Sequence, residues 1–264
     1  MFFMLMFLVN IVGSNTQGSI SSTISLSKED IDAISRKIYF NETRGNDSHL
    51  LYWNKNEDFL SLGIGHFIWF PKDKNLPFTE SFPHFISYLL DKKFPLPTWL
   101  NSSTDNPWMN YNDFTNGNHS KKREELFTLL KKSYHLQALF LIERLKEAIP
   151  QIIYFSSDKK LVEKNFFLLS NSPNGVYAMI DYVNFKGEGI SVKERYEGSG
   201  WGLLQVLENM KPDDYKPVES FIAACKDVLQ NRVSNSPDSK KKQETAWLLG
   251  WERRLASYRE DIYD

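Results

Sequence analysis

Glu42 has the setting in this chain best suited to acid–base chemistry. It stands in Phe40-Asn41-Glu42-Thr43-Arg44-Gly45, where a helically spaced segment runs out. The C-terminal end of a helix carries partial negative charge, which disfavours an ionised carboxylate there, and partial burial acts the same way. A carboxyl group that keeps its proton can serve as a general acid, handing the proton to a leaving group. Downstream, Ser61-Leu62-Gly63-Ile64-Gly65-His66 places a hydroxyl, two glycines and an imidazole close together. Glycines so spaced imply a close backbone approach or φ values closed to other residues. Two more acids, Glu57 and Asp58, lie just ahead of this run.

The elements that must position these groups follow from spacing. Ser27-Lys28-Glu29-Asp30 is a helix start, with a Ser cap and an acid three residues on. Ile31, Ile34 and Ile38 then form one apolar stripe, and Gly45 ends it, so Glu42 falls at the helix C-terminus. Leu50 to Phe70 reads as strand, turn, strand, with Asn54-Lys55-Asn56-Glu57 at the tip. Pro71 to Thr115 is rich in proline and aromatics and reads as a packed insertion holding one short helix near Phe82–Leu90. Lys121 to Ala148 predicts a single long helix, closed by Pro150. Its basic start, Lys121-Lys122-Arg123, is a solvated end.

The second half is helical: Gly175–Val183, Leu203–Met210, Val218–Val233 and Glu244–Tyr258. Asn184 through Gly189 is expected to break the first of these. Asp181 sits on an otherwise apolar face. A buried acid needs a partner, which Arg195 or a Tyr hydroxyl would supply. Glu188, Glu194 and Glu197 lie in a polar loop and are expected to be solvated. Trp201, flanked by glycines, suits either a sugar-stacking platform or a core anchor.

Composition narrows the classes. Net charge is −1 in 264 residues, so no global charge argues for nucleic acid or an anionic membrane surface. Cys225 is the only cysteine, excluding an intramolecular disulfide, and its setting in Phe221-Ile222-Ala223-Ala224-Cys225 is that of a buried helix face. The histidines show no zinc-motif spacing, and no metal or cofactor is expected. Residues 2–12 are a short apolar run, too short to span a membrane and consistent with a signal-peptide core. The expected organisation is a signal peptide and flexible leader over 1–26, then a single domain over 27–264 with its insertion at about 71–115. The expected product is an exported, periplasmic or secreted monomer.

Residues 27–70 resemble the N-terminal lobe of phage-type lysozymes. Trp53 through His66 lies on their hairpin without a gap and ends on the shared Gly-Ile-Gly-His. Tyr177–Phe185 is similar to the family's cleft-facing helix. Phe221–Ala224 and Trp251-Glu252-Arg253-Arg254-Leu255 are similar to its last helices, in the same order. The resemblance implies a mainly α (α+β), two-lobed fold with a small β-hairpin in the first lobe. It also implies cleavage of peptidoglycan. Glu42 matches the catalytic acid, Ser61 the hairpin Thr that holds the attacking water, and His66 a structural His. The family's second carboxylate falls at Lys55, so Glu57, or else Asp58, would have to replace it. Gly202-Leu203-Leu204-Gln205 is also similar to the Gly-Leu-Met-Gln of lytic transglycosylases, which use one acid alone. The candidate catalytic set is therefore Glu42, Glu57 and Ser61. Asp58, His66, Tyr182, Asn184, Trp201 and Gln205 are the candidates for binding substrate. Lys55 in place of a carboxylate also leaves open a glycan-binding protein that has lost catalysis.

Overall fold

The computed structural model describes residues 24–74, 76 and 80–264. The chain is mainly helical, with a small antiparallel sheet of three short strands. The proposed signal core lies outside the described residues. Ile24 is buried in the core and Leu26 packs against it, so the packed chain begins within the stretch expected to be a flexible leader.

Helix α1, Lys28–Thr43, opens with the capping box expected of Ser27 and Asp30. Ile34 and Ile38 are its buried face, and Arg44 ends it in the left-handed conformation. Three strands follow: β1 (Leu51–Tyr52), β2 (Leu60–Leu62) and β3 (Phe67–Trp69). The expected two-strand hairpin is thus a three-strand meander, because Gly63-Ile64-Gly65-His66 is itself the second turn. Strand register sorts the side chains by period two. Tyr52, Ser61 and Ile68 pair across the sheet on one face, while Leu51, Leu62 and Phe67 pair on the other. Phe67 stacks on Phe85 of helix α2 (Phe82–Asp91), with ring centroids 4.6 Å apart.

The insertion contributes Phe82, Phe85, Trp108 and Phe114 to the core. Trp69 packs on Phe82 and stacks with Trp99. Trp108 is fully buried and donates its indole N–H to the Asn118 carbonyl. A short helix α3 (Tyr111–Thr115) closes this region.

The single long helix expected over 121–148 is two: α4 (Ser120–Lys132) and α5 (Tyr134–Phe155). Ser133 breaks them, and Gln137 explains how. Its amide donates to the Leu130 carbonyl and the Ser133 hydroxyl, satisfying the end of α4. Pro150 lies inside α5 and does not end it, because the buried stripe Ile149, Ile152 and Ile153 carries the helix past the missing N–H.

Helix α6 (Lys159–Ser170) matches none of the segments picked out from spacing. Helix α7 (Pro173–Lys186) runs three residues beyond its expected end, to Gly187 at φ +81°. Asn184 is therefore helical, one turn on from Ile180 and next to Val183 on the same face. A two-strand ribbon, β4 (Arg195–Tyr196) and β5 (Ser199–Gly200), precedes α8 (Leu203–Asn209). Helices α9 (Pro217–Ser234) and α10 (Asp238–Ala256) end the fold.

Candidate active site

A cleft of about 390 Å³ separates the sheet from two helices. The sheet presents the cross-paired Tyr52, Ser61 and Ile68. The facing wall is Leu141, Arg144 and Leu145 of α5 and Ile180, Val183 and Asn184 of α7. Both helical sets have spacings of three and four, so each is one face of its helix. Glu57, Asn54 and His66 close the sheet side.

The turn bearing His66 is held by its glycines. Gln137 accepts from the Ile64 N–H at 2.8 Å. A Cβ on Gly63 would lie 2.1 Å from that same amide oxygen, and Gly63 has φ +68°. A Cβ on Gly65 would lie 2.3 Å from the Phe67 ring. Nothing larger fits either position, and the approach of this turn to α5 directs His66 toward α1.

There it meets Glu42. The Glu42 side chain is only 5% exposed, and His66 Nε2 lies 3.1 Å from its Oε2. Oε1 accepts from Arg254 Nη2, and Asn184 Nδ2 lies 3.5 Å from the same oxygen. Arg254 does not belong to Glu42 alone. Its Nε and Nη2 donate to the two oxygens of Asp181 at 2.7 and 2.8 Å. Asp181 also accepts from the Tyr258 hydroxyl at 2.7 Å. Burial opposes the Arg254 charge, but the Asp181 and Glu42 carboxylates outweigh it and hold the guanidinium charged well above its ordinary range. The partner of Asp181 is thus Arg254 together with a Tyr hydroxyl; the expected Arg195 instead donates to the Gly198 carbonyl.

Glu57 reaches the cleft. Burial pushes its carboxyl above the usual range, against the pull of His66 and an Asn54 hydrogen bond. Asp58 does not line the cleft: it is mostly exposed and pairs with Lys74 at 3.3 Å. Ser61 and His66 line the cleft, as does Asn184. Three other candidates lie elsewhere. Tyr182 is fully buried and donates to the Trp201 carbonyl. Trp201 is a core residue, with the Arg232 guanidinium 4.1 Å from its ring centroid. Gln205 accepts from the Gly202 N–H and donates to the Gly189 carbonyl, stapling two loops together. Glu188, expected to be solvated, is partly buried. Burial raises its carboxyl, which Arg144 opposes and Glu194 reinforces.

Arg254 and Arg144 were not singled out from the sequence. Arg254 stands 212 positions from Glu42, and no local pattern links them. Among the described residues no group of three or more His, Cys, Asp or Glu is gathered as metal ligands would be. No family model, curated protein or solved structure matches this chain. What the site can do is set by its own geometry.

Proposed function

We propose that this protein cleaves the glycan strands of peptidoglycan, with Glu42 as general acid, as in the phage-type lysozymes it resembles. One observation carries the reading: a nearly buried Glu42 shares a single guanidinium with a second buried carboxylate, beside a cleft. Asp181 takes a bidentate Arg254 and the Tyr258 hydroxyl, whereas Glu42 receives one Arg254 nitrogen and turns its other oxygen to His66 at the cleft. Of the two acids, Glu42 is the one placed to meet a substrate.

A glycan strand lying between the sheet face and the two helices would bring a glycosidic oxygen toward Glu42, which stands behind the cleft-lining His66 and Asn184. As the C–O bond breaks, Glu42 protonates the leaving sugar oxygen. Glu57, which lines the cleft, would be the second carboxylate of a hydrolytic pair, and the Ser61 hydroxyl would hold the attacking water. A second reading has support in Glu57 itself. Burial disfavours the charged form in which it would serve as base or nucleophile. Glu42 would then act alone, and the substrate's own hydroxyl would displace the bond, as in lytic transglycosylases. Export through the apolar N-terminal run would bring the protein, as a monomer, to the wall polymer.

Purified peptidoglycan incubated with the protein, followed by mass spectrometry of the soluble products, tests this. Reducing ends would mark a hydrolase and 1,6-anhydro ends a transglycosylase. Absence of any soluble product would reject cleavage and favour a glycan-binding protein.

A further inference from the structure

A second cavity, of about 360 Å³, opens beside Arg254 and shares no lining residue with the cleft. Its charged lining is three guanidinium groups, Arg44, Arg253 and Arg254, with no carboxylate among the lining residues. Arg44 is placed there by its left-handed cap at the end of α1, and Arg253 by its position in α10. Neither side chain has a hydrogen-bond or ion-pair partner among the described residues. Arg254 commits Nε and Nη2 to Asp181 and Glu42, so both N–H groups of Nη1 lack a protein acceptor. Arg254 is matched by Asp181 and Glu42, so the unmatched charges are Arg44 and Arg253, which repel each other across the cavity unless an anion joins them. Trp251 and Phe185 also line it, their ring centroids 6.2 Å apart, with Lys186 Nζ 3.5 Å and 4.0 Å from the two centroids.

We propose that this cavity is an oxyanion site in which Arg44, Arg253 and the free Nη1 of Arg254 bind a carboxylate of the substrate's peptide stem. Guanidinium forks match the paired oxygens of carboxylate and phosphate. Free inorganic phosphate shares that chemistry. The stem as the source rests on the proposed function, since a glycan backbone alone offers few anions whereas peptide stems carry several. Because the anion and Glu42 share one guanidinium, a stem docked here would also register the strand beside the candidate acid.

Calorimetric titration of the full chain tests the site without turnover. The probes are the tripeptide L-Ala-γ-D-Glu-diaminopimelate, which has no glycosidic bond, and inorganic phosphate. The expected result is saturable tripeptide binding, displaced by phosphate, and weakened about 10-fold or more by the pair Arg44→Gln and Arg253→Gln. The pair Lys160→Gln and Lys164→Gln, exposed on α6, removes the same charge and should leave binding unchanged. Binding of phosphate but not tripeptide would keep the oxyanion site and assign it to phosphate. No saturable binding of either probe, or equal loss in both variant pairs, would overturn it. The two readings fail separately. A protein that binds the tripeptide but cleaves no peptidoglycan keeps this site and loses the cleavage reading; one that cleaves but does not bind loses this site alone.

Discussion

Among the described residues, two buried glutamates pair with arginines, and only Glu42 stands beside the cleft. Glu244, 2% exposed, takes Arg232 in a bidentate pair at 3.0 Å and accepts from the Tyr196 hydroxyl. Its guanidinium is stacked among Trp201, Trp251 and Tyr196. That pair is balanced, one cation to one acid. Glu42 is buried to nearly the same degree, but its arginine is shared with Asp181, and its other oxygen meets a His66 that lines a cleft. Burial beside an arginine is therefore common ground; the count of charges and the access to a cleft differ. A balanced pair closes on itself, whereas the shared arginine leaves one Glu42 oxygen for His66 at the cleft.

The comparison can be broken at its cations first. Arg254→Gln would leave two buried carboxylates facing each other without a counter-charge. The expected loss is about 3–5 kcal/mol in urea unfolding at pH 7. A variant as stable as wild type would contradict the shared pairing. Glu244→Gln strands only Arg232 and should cost about 3 kcal/mol, with activity per folded molecule unchanged. Burial works to raise the Glu244 carboxyl, but Arg232 and Tyr196 outweigh it and hold it below the ordinary range. Its stabilisation is therefore present above the unfolded value of about 4.5 and is lost as pH falls through the lower folded value. The gap between wild type and Glu244→Gln should close on acidification, as thermal melts across pH would show.

Smaller effects sharpen the picture on the cleft side. Gly63→Ala should cost about 1–3 kcal/mol, from a positive φ and a clash with Gln137, and activity should fall as His66 shifts. An unchanged melting temperature would mean that the turn does not depend on this contact. Glu57 gives the smallest expected change. Its carboxyl is raised by burial, so its charged form destabilises the fold above the unfolded value and not below it. Glu57→Gln should stabilise slightly at pH 7, and the gain should vanish by about pH 4. Stabilisation that grows on acidification would reverse this assignment.

The local signals in the sequence were sound where one segment decides the outcome. The Ser27–Asp30 capping box and the isoleucine stripe set α1, and with it the end at which Glu42 stands. The signals failed where a distant side chain decides. The apolar spacing of 121–148 continues through Ser133, and only the docking of Gln137 onto the Gly63 turn shows why the helix breaks there. Arg195 was the near partner for Asp181, while the true one arrives on α10 from 73 positions away. Trp201 could be a platform or an anchor on sequence grounds, and the choice is made by Arg232 and Tyr196, which cover it.

The most direct test of the central claim is the initial rate of product release from purified peptidoglycan by Glu42→Gln, beside wild type and Glu244→Gln at matched folded fractions. The account predicts a fall of about 100-fold or more for Glu42→Gln and a wild-type rate for Glu244→Gln. A Glu42→Gln protein that is folded and cleaves at the wild-type rate would contradict it.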